Sequence, residues 1–256
     1  MSIHTQDAII LHERDVRETS LLIVFYTREF GKIRGLIKGV RGPRGPLGHQ
    51  VQIFTLNRVV FYDSKRSGIH TVSQCDLIDF FEAIRSDLVK VSYAYYFVEL
   101  VNALTEEEDK NPEIFDLLLN SLELLKGSSS PRRITRIFEI RLLMLSGLMP
   151  RLNRCIVCDR EIDFQAASFK KAKFSYKSGG LLCERCLEHD ASAFHIMAGT
   201  AHFIEHVERA PYEQLARIKV SKDVGEELEG VMKKFIKYQL DKEIRSLGFI
   251  DKVHYA

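Results

Sequence analysis

A chain of 256 residues, 45% apolar and 28% charged, has enough apolar material for one large core or two to three small ones, which excludes a disordered or fibrous class. No run of about 18 apolar residues occurs, so no membrane-spanning helix is expected. The formal charge of +2 excludes a uniformly basic chain, but residues 28–66 alone carry +7, from nine cations (Arg28, Lys32, Arg34, Lys38, Arg41, Arg44, Arg58, Lys65 and Arg66) against Glu29 and Asp63. Charge concentrated in this way points to a local site for a polyanion; a solvated basic surface is the alternative.

The N-terminal "MSIHTQDAIILHERD" lacks a basic stretch followed by an apolar one, so no signal peptide is expected and a cytoplasmic location with reduced thiols is. The runs "AIILHERD", "TSLLIVFYT", "KIRGLIKGV", "VQIFTLNRVVFYD" and "GIHTVSQCD" read as five strands. Gly31 suits the turn before the third, and "SKRSG" suits a hairpin before the fifth. The Gly/Pro-rich "RGPRGPLG" can be neither helix nor central strand. Five short strands with a long third connection favour a small closed barrel of the OB type over residues 1–80, and an SH3-like barrel satisfies the same periodicity. Lys32, Arg34 and Lys38 fall on one face of the third strand by alternation, with Arg41 and Arg44 in the loop after it.

From Phe81 the period becomes helical, and residues 81–256 are expected to form an all-α domain, making the chain an α+β multidomain protein. Asn111 with Pro112 caps one helix that ends at Gly127, and Ser130 with Pro131 opens another that ends at Gly147. Residues 197–208 read as helical. A last helix is expected from Ser221, with Val224, Leu228, Val231, Phe235 and Tyr238 as its core stripe.

Four of the five cysteines form two C-x-x-C pairs, Cys155 with Cys158 and Cys183 with Cys186. Each pair places two sulfurs on one tight turn, and two facing turns suit tetrahedral zinc. A redox pair, an iron–sulfur cluster or plain structural thiols compete with that reading, and His189 or His195 could replace a ligand. Four thiolates leave no open coordination position, so a structural zinc ribbon over residues 151–190, set into the helical domain, is expected rather than a catalytic centre. Its loop interleaves Lys170, Lys171, Lys173 and Lys177 with Phe169, Phe174 and Tyr176. That pattern fits single-strand binding, or aromatics packed beneath solvated lysines. The run "EEED" reads as a solvated loop, Cys75 as a small core residue. No phosphate loop, nucleophile elbow or metalloprotease motif occurs, so no enzyme is expected.

The segments "REFGKIRGLIKGVR", "FDLLLNSLELL", "RLNRCIVC" and "GGLLCERC", in that order along nearly the whole chain, resemble the RecO family of bacterial recombination mediators. The resemblance implies an N-terminal OB-fold, a helical domain with one structural zinc, and a non-enzymatic protein that binds single- and double-stranded DNA and anneals complementary strands. It implies RecR and the acidic C-terminal tail of single-strand binding protein as partners, RecA loading as the outcome, and association with the nucleoid rather than a membrane. Lys32, Arg34, Lys38, Arg41 and Arg44 are then the expected DNA contacts. Arg132, Arg133 and Arg136, neighbours at i+3 and i+4 spacing, are the expected contacts for the acidic tail. Cations at a helix start oppose its dipole, which a bound anion would explain; solvated arginines are the alternative. A zinc-braced adaptor that binds protein and not DNA is the competing function.

Overall fold

In the computed structural model, which describes residues 2–16, 20–38, 51–64, 68–215 and 218–254, the expected strands close into a barrel. They are β1 (Ile3–Val16), β2 (Ser20–Thr27), β3 (Gly31–Ile37), β4 (Leu56–Tyr62) and β5 (Ile69–Asp79), ordered β1-β2-β3-β5-β4 with β4 pairing back onto β1. β3 and β5 pair parallel, all other neighbours antiparallel, which makes the barrel an OB-fold. Alternation drives Ile23, Phe25, Ile33, Ile37, Val59, Phe61 and Cys75 into one core. Burial first, then the Asp76 charge, pushes the Cys75 thiol up to about 12, so it acts as the small apolar residue expected. The expected fourth strand begins five residues late, because residues 51–55 form a turn with Phe54 at φ 57°.

The contacts divide the chain into Met1–Pro131 with Ile244–Ala256, and Arg132–Glu243. The change of period at Phe81 therefore marks a change of secondary structure inside the first unit. There α1 (Glu82–Arg85) packs on α2 (Leu88–Leu104) and α3 (Pro112–Gly127), which pack on the barrel strands β1 and β2. Asp87 caps α2 through the Val89 and Lys90 amides, and Asn111 caps α3 through Ile114 N at 3.3 Å.

The second unit holds α4 (Pro131–Leu145), whose first residue belongs to the first unit, and then β6 (Arg151–Cys155), β7 (Lys173–Ser175) and β8 (Gly180–Leu182). These strands make a sheet in the order β6-β8-β7. It continues through α5 (Ala198–Arg209), α6 (Tyr212–Leu215) and α7 (Lys222–Leu240), the last capped by Ser221. α7 is not the last helix. α8 (Arg245–His254) follows it, returns to the first unit and lies on α2. Its N-terminal amides, Arg245 N and Ser246 N, both donate at 2.9 Å to the Glu99 carboxylate of α2. No helix among the described residues is long and apolar enough to cross a membrane.

Candidate metal centre and nucleic-acid surfaces

The two C-x-x-C turns face each other. The four sulfurs of Cys155, Cys158, Cys183 and Cys186 lie within 4.8 Å of one another, and Cys158 and Cys183 are 3.6 Å apart. A tetrahedron with metal–sulfur bonds of about 2.3 Å has edges of about 3.8 Å, so the spacing fits. β6 supplies Cys155 and the turn after it Cys158; Asp159 takes φ 57° there, and Cys155 N donates to Arg160 O at 2.8 Å. Cys183 follows β8, and Cys186 N closes onto Cys183 O at 2.8 Å. Gly180 lets β8 approach β6: a Cβ there would lie 2.4 Å from the Arg151 carbonyl.

Burial would raise the Cys155 thiol, but backbone N–H groups of Cys158, Cys183 and Val157 converge on its sulfur and hold it at about 6. Burial, then hydrogen bonds to the other three cysteines, push Cys186 up to about 12. One thiolate forms readily and further ones repel it, so a full set of four requires a cation between them. The cluster could hold a metal ion. Neither His189 nor His195 belongs to it, and His195 Nδ1 faces Ala172 O at 3.1 Å.

The sheet is joined to its helices through aromatic side chains. Phe174 is fully buried, with ring centroids 5.8 Å from Phe194 and 6.0 Å from Phe235 of α7, and Phe169 is buried as well. Lys171 pairs with Glu184 at 2.9 Å. Of the interleaved aromatics only Tyr176 remains partly open, so the loop as a whole is aromatics packed under lysines.

On the barrel, the expected DNA residues separate. Lys32 reaches the C-terminal end of α2, donating to the carbonyls of Asn102, at 2.7 Å, and Thr105. Arg34 pairs with Glu107 at 2.8 Å. The acidic run 106–109 is exposed, as a solvated loop should be, and its backbone is tied to β3: Glu108 N donates to Lys32 O at 2.8 Å. Gly31, at φ 62°, is required by this approach, since a Cβ would stand 1.9 Å from Asp109 O. Lys32 and Arg34 thus have internal partners, and Arg58 is paired with Asp7 at 2.9 Å. Lys38 is exposed at the end of β3; Arg41 and Arg44 lie outside the described residues.

The three arginines of α4 separate too. Arg136 is buried and forms an ion pair with the fully buried Glu139 at 3.0 Å. A partner's tail cannot reach it. Arg133 is half-buried, with Ile218 O as acceptor at 3.4 Å, and Arg132 is exposed. The cations at this helix start have an internal anion. Burial would raise Glu229, but a hydrogen bond from Lys233 and the charges of Arg136, Lys233 and Arg132 lower it.

Comparison with known proteins gives two family matches, "Recombination protein O N terminal" over residues 1–81 and "Recombination protein O C terminal" over residues 85–248. The chain is 33% identical to the DNA repair protein RecO of Moorella thermoacetica over 96% of its own length and 90% of the relative's. It is 29% identical to that of Halalkalibacterium halodurans, over 98% and 95%. With that of Acetivibrio thermocellus it shares 33% identity, over 94% of each.

Proposed function

Because the chain belongs to the RecO family of DNA repair proteins, we propose that it is a non-enzymatic recombination mediator that binds single- and double-stranded DNA and anneals complementary strands. The observation that carries this reading is the basic segment 28–66 of the OB barrel, in which Lys38 is exposed at the end of β3 while Lys32, Arg34 and Arg58 are held by internal partners. DNA phosphates are held at the end of β3, by Lys38 with Arg41 and Arg44 after it. Lys32 and Arg34 support this end by fixing β3 to α2 and to the acidic run. Annealing needs both strands partly neutralised at one surface, which sequence-independent phosphate contacts supply.

The metal is one structural zinc on Cys155, Cys158, Cys183 and Cys186, the ion that four thiolates in a closed tetrahedron select. It braces β6 against β8. RecR and the acidic tail of single-strand binding protein are the proposed partners, with RecA loading as the outcome, in the cytoplasm at the nucleoid. On α4 the exposed Arg132, with Arg133, is the part of the predicted surface a tail can reach.

The test is a salt titration of binding to a single-stranded oligonucleotide, with an annealing assay on the same protein. Lys38→Ala should weaken binding to all sequences alike and flatten the plot of log affinity against log salt by about 0.7. Wild-type protein with no salt-dependent DNA binding would leave the adaptor function instead.

A further inference from the structure

Beside the four-cysteine sheet, the second unit has an open groove of about 720 Å³ that neither the metal nor the core accounts for. Three aromatic rings line it: Tyr176 after β7, Phe194 from the segment before α5, and Tyr238 in the last turn of α7. Tyr238 belongs to the expected core stripe of α7, yet it is 49% exposed, while Leu228, Val231 and Phe235 are buried. It shares its face of the helix with Lys234 and Lys237, at i, i+3 and i+4 spacing, and Asp241 follows as the C-cap; all are open to solvent. Tyr176 and Tyr238 meet edge to face at 5.7 Å, and both line the groove. Lys234 stands 4.7 Å over the Phe194 ring and Lys177 5.9 Å over Tyr176. Asp241 is the only carboxylate among the lining residues, and Lys237 approaches Glu243 at 3.8 Å.

We propose that this groove is a second nucleic-acid site, specific for a single strand, in which bases stack on Tyr238 and Tyr176 while Lys234, Lys237 and Lys177 hold the phosphates. The assignment rests on the DNA-binding function above and adds a site apart from the barrel. Exposed aromatic faces interleaved with cations suit a chain that presents flat rings and one negative charge per unit. A duplex does not, because its bases are stacked on one another and offer no open face. The volume lies within the ~300–1,000 Å³ range of clefts that enclose a small ligand.

The experiment uses the full chain with its metal and compares labelled oligothymidylate with a duplex. Tyr238→Ala should weaken oligothymidylate binding by at least about fivefold with an unchanged salt slope, because stacking and not charge is removed. Tyr238→Phe should restore it, and duplex affinity should not change. Lys234→Ala with Lys237→Ala should flatten the single-strand slope by about 1.4. Wild-type single-strand affinity in Tyr238→Ala overturns the proposal, as does equal loss on single strand and duplex. If Lys38→Ala weakens DNA binding while Tyr238→Ala does not, the barrel function stands and the groove does not. If the wild-type chain binds no DNA, both fall. Loss of binding to an acidic peptide in place of the oligonucleotide overturns it in favour of a protein ligand.

Discussion

Lys32 and Lys234 are both lysines on regular elements of locally basic segments, and the fold uses them in opposite ways. On β3 the Lys32 ammonium closes the C-terminal end of α2, and Arg34 beside it holds Glu107. On α7 Lys234 stands over an aromatic ring at the edge of an open groove. The first arrangement neutralises a helix dipole and an acidic loop and so stabilises the unit it belongs to. The second leaves charge and ring faces available to a ligand. A cluster of cations in a sequence therefore states a capacity, and the acceptors within reach determine whether it becomes a brace or a surface.

The largest expected effect separates the two regions through the metal. Chelation, or Cys155→Ser, should release the metal and remove folding free energy on the order of 10 kcal/mol from the second unit, taking with it the sheet that Tyr176 follows. Hydrogen exchange should show loss of protection in residues 151–243 and continued protection in the barrel strands. Metal-free protein with full protection in both would mean that the sulfurs brace nothing.

A smaller effect tests β3. Lys32→Met leaves the Asn102 and Thr105 carbonyls without their charged donor, so it should destabilise the first unit by about 2 kcal/mol in urea unfolding and leave the salt slope of DNA binding intact. The reverse result, unchanged stability with a flattened slope, would make β3 a DNA face after all and end the contrast with α7.

The smallest concerns Asp190, which keeps the chain after Cys186 in place by accepting from Ser175 Oγ at 2.6 Å, Ser192 Oγ at 2.6 Å and Ser192 N at 2.9 Å. The hydrogen bond from Ser175 first, then that from Ser192, lowers its pKa in the folded state, against a smaller opposing effect of burial. A lowered carboxyl stabilises the fold above the ordinary carboxylate range and loses that contribution as pH falls through its folded pKa. Asp190→Asn should cost about 1 kcal/mol near neutral pH and flatten the acid limb of the stability curve of the second unit. An unaltered acid limb would show that the segment bearing Ser192 and Phe194 is held by its packing and by the backbone bonds between Phe174 and Phe194, without Asp190.

Much of this was legible locally. Asn111 and Ser221 cap the helices that they precede, because a cap bonds an amide three residues on and needs no distant partner. The two C-x-x-C pairs announced their cluster because sulfurs three residues apart on a turn must lie close together. Five alternating strands with a long third connection announced the barrel. The missed α8 has the opposite character: its N-terminal amides are capped by Glu99, 146 residues from Arg245, and no local pattern can show that.

The amino-acid sequence by itself thus determined the strands, the capped helices, the four-cysteine site and the basic segment, all of which depend on neighbours a few residues apart. Only the tertiary structure decided what those residues face. It buried the neighbours Arg136 and Glu139, placed the acidic run against β3, and carried Tyr238 past the packed part of α7 into solvent. The physical reason is range: periodicity and capping are short-range regularities of the backbone, whereas the partner of a long charged or aromatic side chain is whatever the folded chain brings within a few ångströms of its tip.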